Sequence, residues 1–264
     1  MSGSDAIPVS FLEDICYRFT NSICRISIVD GYSEVQVTGF LVGQNLVMSV
    51  YHVFHGIIES NTKRANIFAI FGFKGKSLTV GQKQYYFYNT PAYINPELDV
   101  IIFQLKPDIG LPTGCILTKE RLSFHERITF VGHPYGEPQK ISVECPILTP
   151  EHPIVLESND YFRRQYGPGG FQGINDPHSV LVQSRIGGGA AGSPGIVQRG
   201  NASLACMLTT AYPTFRAQLP PRDLNYSFEK AVTMESLYSR LKTDNPRLCF
   251  SIFLLQTICQ GDTI

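Results

Sequence analysis

The sequence has no excess of charge of either sign: 22 Lys and Arg residues stand against 22 Asp and Glu in 264 residues. That balance removes the broad basic surface on which a nucleic acid would settle, so no nucleic-acid partner is expected. There is no run of about 18 apolar residues, which excludes a helix spanning a bilayer and any membrane partner of that kind. Met1 to Ser4 is small and polar, with no basic and apolar leader behind it, so a soluble intracellular protein is expected. Cys16, Cys24, Cys115, Cys145, Cys206, Cys249 and Cys259 are odd in number and contain no Cys-x-x-Cys pair. They read as reduced thiols rather than as a zinc or redox centre, and neither a metal nor a cofactor is expected. Internal repeats and low-complexity runs are absent as well.

What is present is a dense series of short β-type segments. Residues 22–29, 35–42, 46–50, 67–71, 85–88, 100–105, 128–131, 196–197 and 204–209 are rich in β-branched and aromatic residues and are separated by Gly, Pro, Asn and Asp. Such spacing predicts an all-β protein of barrels or a sandwich. The stretch 107–113, with Gly110 and Pro112, is the expected linker between two comparable halves. Ahead of them, Ser10 opens a capping-box pattern and Phe11, Leu12, Ile15 and Phe19 recur at helical spacing. This apolar stripe must either dock on the body or pair with a second copy, and a homodimer through the N-terminal helix is expected. Met234, Leu237, Tyr238 and Leu241 mark a second helix, followed by an apolar tail, 250–258, expected to pack on the body. Residues 160–177 read as a long loop. The expected division is 1–20 for the N-terminal extension and helix, 21–110 for a first barrel, 111–232 for a second, and 233–264 for the C-terminal helix and tail.

Three segments carry chemistry. Thr38-Gly39-Phe40-Leu41-Val42 followed by Leu46 to Val53 resembles the hairpin of trypsin-like proteases, in which a histidine directly follows a strand and precedes Val. His52 meets that description and its neighbour His55 does not, so His52 is the candidate general base. Asp99 stands immediately before the continuous apolar run 100–105, where it would otherwise be a strand-start residue. In the protease arrangement it is the carboxylate that orients the histidine. The run Gly189-Ala190-Ala191-Gly192-Ser193-Pro194 matches the nucleophile loop of the same proteases everywhere except at the nucleophile, where Ala191 stands in place of serine. Gly189 and Ala191 can still supply the two backbone N–H groups of an oxyanion hole, because alanine donates its N–H as serine does.

Two rival readings of this loop fail on chemistry. Gly187, Gly189 and Gly192 imitate a dinucleotide fingerprint, but Pro194 and Gly195 fall where the helix it requires would continue. Ser193, flanked by Gly192 and Pro194, imitates the nucleophile elbow of α/β-hydrolases, yet the residue after that serine must donate an N–H and Pro194 has none.

With Val131-Gly132-His133-Pro134-Tyr135-Gly136-Glu137, the strand from Leu204 to Tyr212, and Thr233-Met234-Glu235-Ser236-Leu237, the sequence resembles the protease domain of the vertebrate proteins called family with sequence similarity 111, from about Thr38 to Leu241. The resemblance implies a chymotrypsin/trypsin-like double β-barrel, an intracellular serine endopeptidase preferring aromatic residues before the cut, and a nuclear location. It departs at Ala191, and the long N-terminal part of that family, with its DNA-related functions, has no counterpart here. The same resemblance places Arg185, six residues before position 191, at the floor of the specificity pocket. Thr209, Thr210, Ala211 and Tyr212 become the strand on which a peptide substrate pairs. Two functions follow: an endopeptidase domain held inactive by Ala191, or a pseudoprotease that binds peptide or protein.

Overall fold

The computed structural model describes residues 9–31, 33–59, 66–75, 83–184, 186–187 and 189–253. The short apolar segments form two β units. The first is built from β1 (Ile23–Asp30), β2 (Ser33–Val42), β3 (Leu46–Val50), β4 (Asn66–Phe71), β5 (Tyr85–Tyr86), β6 (Tyr93–Asn95) and β7 (Val100–Gln104). They pair antiparallel in the order β5-β4-β1-β2-β3-β7-β6. The sheet curls on itself: Tyr88 N donates to Gln104 O (2.9 Å) and Lys106 N to Tyr86 O (2.8 Å), tying its β5 edge to the end of β7.

The second unit is a closed barrel of β8 (Arg127–Gly132), β9 (Lys140–Leu148), β10 (Ser179–Val182), β11 (Pro194–Arg199), β12 (Asn201–Tyr212) and β13 (Phe228–Thr233), in the order β10-β13-β12-β11-β8-β9. This is the double-barrel architecture expected, with one change: the first unit is a seven-stranded curled sheet where a closed barrel was anticipated. The segment between the units, from 106 to 126, crosses without helix or extended strand.

β3 is apolar except at Ser49 because it is buried along its whole length between β2 and β7, and the Ser49 hydroxyl donates to Thr38 O. The core around it takes in Val131, Ile196 and Met207 of the second unit, so the two halves share one interior. It also takes in the terminal helices. From α1 (Val9–Arg18) come Ile15 and, just beyond it, Phe19, both essentially buried. The helical stripe therefore docks on the body, with Leu12 half-buried; the Phe11 side chain lies outside the described residues. Ser10 lies inside the helix, past the position of its cap.

α4 (Met234–Asp244) buries Met234, Leu237 and Leu241, and its N-cap Thr233 accepts from Ser236 N at 3.2 Å. The tail forms α5 (Pro246–Phe253), with Cys249, Ile252 and Phe253 buried; the rest of the tail lies outside the described residues.

The expected loop at 160–177 is a correction. Its first part belongs to a helix, α3 (Pro153–Tyr166), which the N-cap His152 starts by accepting from Ile154 N at 3.2 Å, with Pro153 at the first helical position. Only Val155, Ser158 and Phe162 are buried, so the helix carries too thin an apolar stripe to stand out in the sequence. None of the described helices is long and apolar enough to cross a membrane.

Candidate active site

Strand register brings His52 and Asp99 together. β3 and β7 are antiparallel neighbours with Val50 opposite Val100, so the residues leaving β3 and those entering β7 share one end of the sheet. There Tyr51 N donates to Asp99 O (3.1 Å) and His52 N to Asp99 Oδ1 (2.8 Å). His52 Nδ1 lies 2.7 Å from Asp99 Oδ2. One carboxylate thus grips both the backbone and the ring of the histidine. With the proton on Nδ1 directed at Asp99, Nε2 carries a lone pair for proton transfer. The His52 side chain is 52 % exposed and that of Asp99 21 %, so the imidazole faces solvent and the carboxylate is more shielded. His55 opens a short helix, α2 (His55–Glu59), and packs edge-on against Tyr51 at 5.4 Å.

Asp99 holds a left-handed backbone, φ 54°, which Asp tolerates better than most residues. The turn is held in place from below. Asp99 N donates to Pro96 O (3.2 Å), and Leu98 N to Asn95 Oδ1 (2.9 Å). Asn95 Nδ2 donates to the Tyr93 hydroxyl (3.1 Å), which donates to Asp244 Oδ2 of α4 (2.9 Å). Burial pushes the Tyr93 phenol up to about 12, keeping it a donor. Glu97 forms an ion pair with Arg240, also of α4.

Ala191 is fixed from both units. Its carbonyl accepts from Thr38 N of β2 at 3.2 Å, while Gly192 N donates to Leu208 O (2.8 Å) and Leu208 N to Ser193 O (2.9 Å) of the second barrel. Gly192 has φ +85°, and a Cβ there would lie 2.0 Å from Thr38 O, so only glycine lets the loop approach β2 this closely. Ser193 is fully buried with its Oγ against Gly132, where no peptide can reach it. Gly189, the other expected oxyanion position, sits at φ +73°, and a Cβ added there would lie 3.0 Å from Tyr135 N.

β11 pairs with β12 only as far as Met207, whereas β13 accompanies β12 to Tyr212. Thr209, Thr210, Ala211 and Tyr212 therefore have a strand on one side only among the described residues. That open edge begins where Leu208 is bound to the Ala191 loop. Arg185 lies outside the described residues.

Two features beside the loop escaped the sequence. The first is the turn after β8. His133 is fully buried, its N–H donates to Thr38 Oγ1 (2.9 Å), and its Nδ1 bonds Glu137 O at 3.0 Å, leaving Nε2 as a buried acceptor with no partner. Burial, with a smaller push from the Arg25 guanidinium, lowers its pKa to about 4 against the pull of the Glu137 carbonyl. Arg25 lies over the Phe73 ring at 4.3 Å and donates to Gly136 O at 3.2 Å. Tyr135, in the same turn, combines φ 54° with a 69 % exposed ring beside Gly187 and Gly189. The second feature is Glu229, a buried carboxylate on β13.

Among the described residues no cluster of His, Cys, Asp and Glu is placed to hold a metal. Cys24, Cys115, Cys145, Cys206 and Cys249 are buried outside any disulfide, and burial raises the thiol pKa of Cys24, Cys115, Cys206 and Cys249. An open depression of about 420 Å³ is lined by Leu98, Arg121, His178, Glu235 and Arg240, apart from His52, Asp99 and residue 191.

Residues 37–202 match the family model described as trypsin-like peptidase domain, and the match spans more than half of the chain. The chain belongs to the trypsin-like peptidase family. Solved structures agree on its fold. The Rv3671c protease from M. tuberculosis in its active form is similar with a TM-score of 0.54 at 14 % identity, over 93 % of this chain and 92 % of that one. Its serine-to-alanine mutant in the inactive form is similar with a TM-score of 0.54 at 15 % identity, over 94 % and 98 %. A search of curated protein sequences found no match. In this trypsin-like peptidase domain His52 and Asp99 lie on the first unit, and residue 191 lies in the loop that leads into β11 of the second.

Proposed function

We propose that the chain is a trypsin-like serine endopeptidase domain which, with Ala191 at the nucleophile position, binds peptide without cutting it. The observation that carries this reading is the double grip of Asp99 on His52, at 2.8 Å to the backbone N–H and 2.7 Å to Nδ1. A histidine oriented in this way accepts a proton from an attacking hydroxyl and returns it to the leaving amine, while the Gly189 and Ala191 N–H groups stabilise the oxyanion. The methyl group of Ala191 has no proton to give and no lone pair to attack with. In a comparable triad, loss of the serine costs about 10⁶ in turnover. Peptide pairs along the open edge of β12 at Thr209 to Tyr212 as an added strand.

The resemblance to family with sequence similarity 111 supports a preference for aromatic residues before the scissile bond and a nuclear location, and a homodimer through the N-terminal helix is a separate proposal. The deciding experiment is Ala191→Ser. The serine protein should label with a fluorophosphonate at residue 191 and cleave after aromatic residues, and adding His52→Ala should abolish both. A folded Ala191→Ser protein that neither labels nor cleaves would leave a peptide-binding pseudoprotease as the function.

A further inference from the structure

The open depression of about 420 Å³ has the size of a small-molecule site and takes no part in the chemistry of His52 and Asp99. Separate parts of the chain converge on it. Leu98 comes from the Asp99 turn of the first unit, Arg121 from the segment between the units, His178 from the approach to β10 of the second, and the remainder from α4.

The helical period arranges what α4 contributes. Ser236, Ser239 and Thr243 fall on one face, with Glu235 at the edge beyond Ser239 and Arg240 at the edge beyond Ser236. A strip of hydroxyls thus has a guanidinium along one border and a carboxylate along the other. Ser236 Oγ accepts from Thr233 Oγ1 at 2.9 Å, which leaves its own proton to donate. Arg240 meets Glu97 through one terminal nitrogen, so its other N–H groups can face a ligand. Among the described residues the Arg121 guanidinium joins no ion pair. The lining therefore offers two guanidiniums, an imidazole and three hydroxyls against the single carboxylate of Glu235.

We propose that this depression binds a phosphate monoester, whose oxygens accept from Arg121, Arg240 and the hydroxyls of α4. The donors select the group. They belong to different elements and call for an acceptor with oxygens pointing in several directions. A phosphate monoester has three such oxygens and nearly two charges for two guanidiniums, whereas a planar carboxylate has two oxygens and one charge. A cation would be repelled by both arginines, and an apolar ligand would cover the donors without pairing them. The group that bears the phosphate has the rest of the depression, against Leu98.

The site also lies behind the paired histidine and aspartate. Leu98 precedes Asp99 and is held through its N–H by Asn95, while Arg240 holds Glu97 in the same turn. A ligand that joins Arg240 to Arg121 ties the Asp99 turn, α4 and the segment between the units to one another, so binding should stabilise the folded chain. None of this depends on the residue at 191.

The test is calorimetry of the unaltered chain with inorganic phosphate, with a phosphoserine peptide and with the same peptide unphosphorylated. The two phosphate ligands should bind, raise the melting temperature and lose affinity as salt increases. Arg121→Gln, at an exposed side chain, should weaken binding by about tenfold, the scale of a hydrogen bond to a charged group. Glu235→Gln removes the carboxylate that opposes an anion and should strengthen binding by up to about fivefold. Arg164→Gln, on α3 and outside the lining, should leave it unchanged. Tighter binding of the phosphopeptide than of inorganic phosphate supports the site with a phosphorylated protein as its ligand; the reverse order supports it with a free phosphate compound. Absence of binding by both, equal binding of the unphosphorylated peptide, or an affinity that Arg121→Gln leaves unchanged or Glu235→Gln lowers overturns the inference.

Discussion

The backbone N–H of Thr38 donates to the carbonyl of Ala191, so the loop that leads into the second barrel hangs on a strand of the first. Thr38 is buried and makes two further bonds: its carbonyl accepts from Ser49 Oγ at 2.7 Å and its hydroxyl from His133 N at 2.9 Å. One residue therefore links β2, β3, the turn after β8 and the Ala191 loop.

Gly192→Ala should break this link. The new Cβ meets the Thr38 carbonyl at 2.0 Å, and the left-handed backbone alone costs about 1–3 kcal/mol. The expected result is a lower denaturation midpoint with faster amide exchange at Thr38. Unchanged exchange at Thr38 would show that the loop is positioned by other contacts.

Asp99→Asn, introduced with Ala191→Ser, should preserve the fold and lower kcat by about 10⁴, the loss seen when a triad histidine is held in the wrong tautomer. The amide can still accept from His52 N but presents an N–H towards Nδ1. Activity assays of the double variant against Ala191→Ser check this, and equal rates would remove Asp99 from the mechanism.

His133 makes stability depend on pH. Its folded-state pKa, about 4, lies below the usual 6.5, so between these values the unfolded chain takes up a proton that the folded chain refuses. The contribution is complete above pH 6.5 and is lost as pH falls towards 4, on the order of 3 kcal/mol in all. Glu229, whose pKa is raised, acts with the opposite sign, so the measurement is the difference in pH-dependent melting between the chain and His133→Gln. Parallel melting curves would exclude the histidine.

Ile15→Ala should destabilise the protein by about 2–5 kcal/mol, because Ile15 is fully buried in the core that both units share. Thermal melting reads the loss, and light scattering of both proteins tests the proposed homodimer at the same time. An unchanged melting temperature would mean that α1 docks without contributing to the fold.

His52 and Asp99 were legible in the sequence because one follows and the other precedes a mostly apolar buried strand, and antiparallel pairing of those strands brings the two together. The Thr38-Gly39-Phe40 hairpin was legible for a similar reason: a buried strand leaves little freedom in composition. α3 was hidden because it is mostly solvated and its cap is a histidine. β13 was hidden because Glu229 and Lys230 interrupt its apolar pattern, and their partners, Arg216 and Asp176, are brought near only by the closed barrel. The buried acceptor of His133 is likewise a product of packing, set by Arg25 and Phe73 from a strand and a loop of the other unit.

The chain of bonds from Asp244 through Tyr93 and Asn95 to the Asp99 turn has a consequence in time. During synthesis, strands β3 and β7 are complete long before residue 244 leaves the ribosome, and Ala191 too precedes it. The turn that aims Asp99 at His52 gains its last support only when α4 has folded back across the first sheet. The pairing of Asp99 with His52 would thus be fully braced only as one of the last acts of folding.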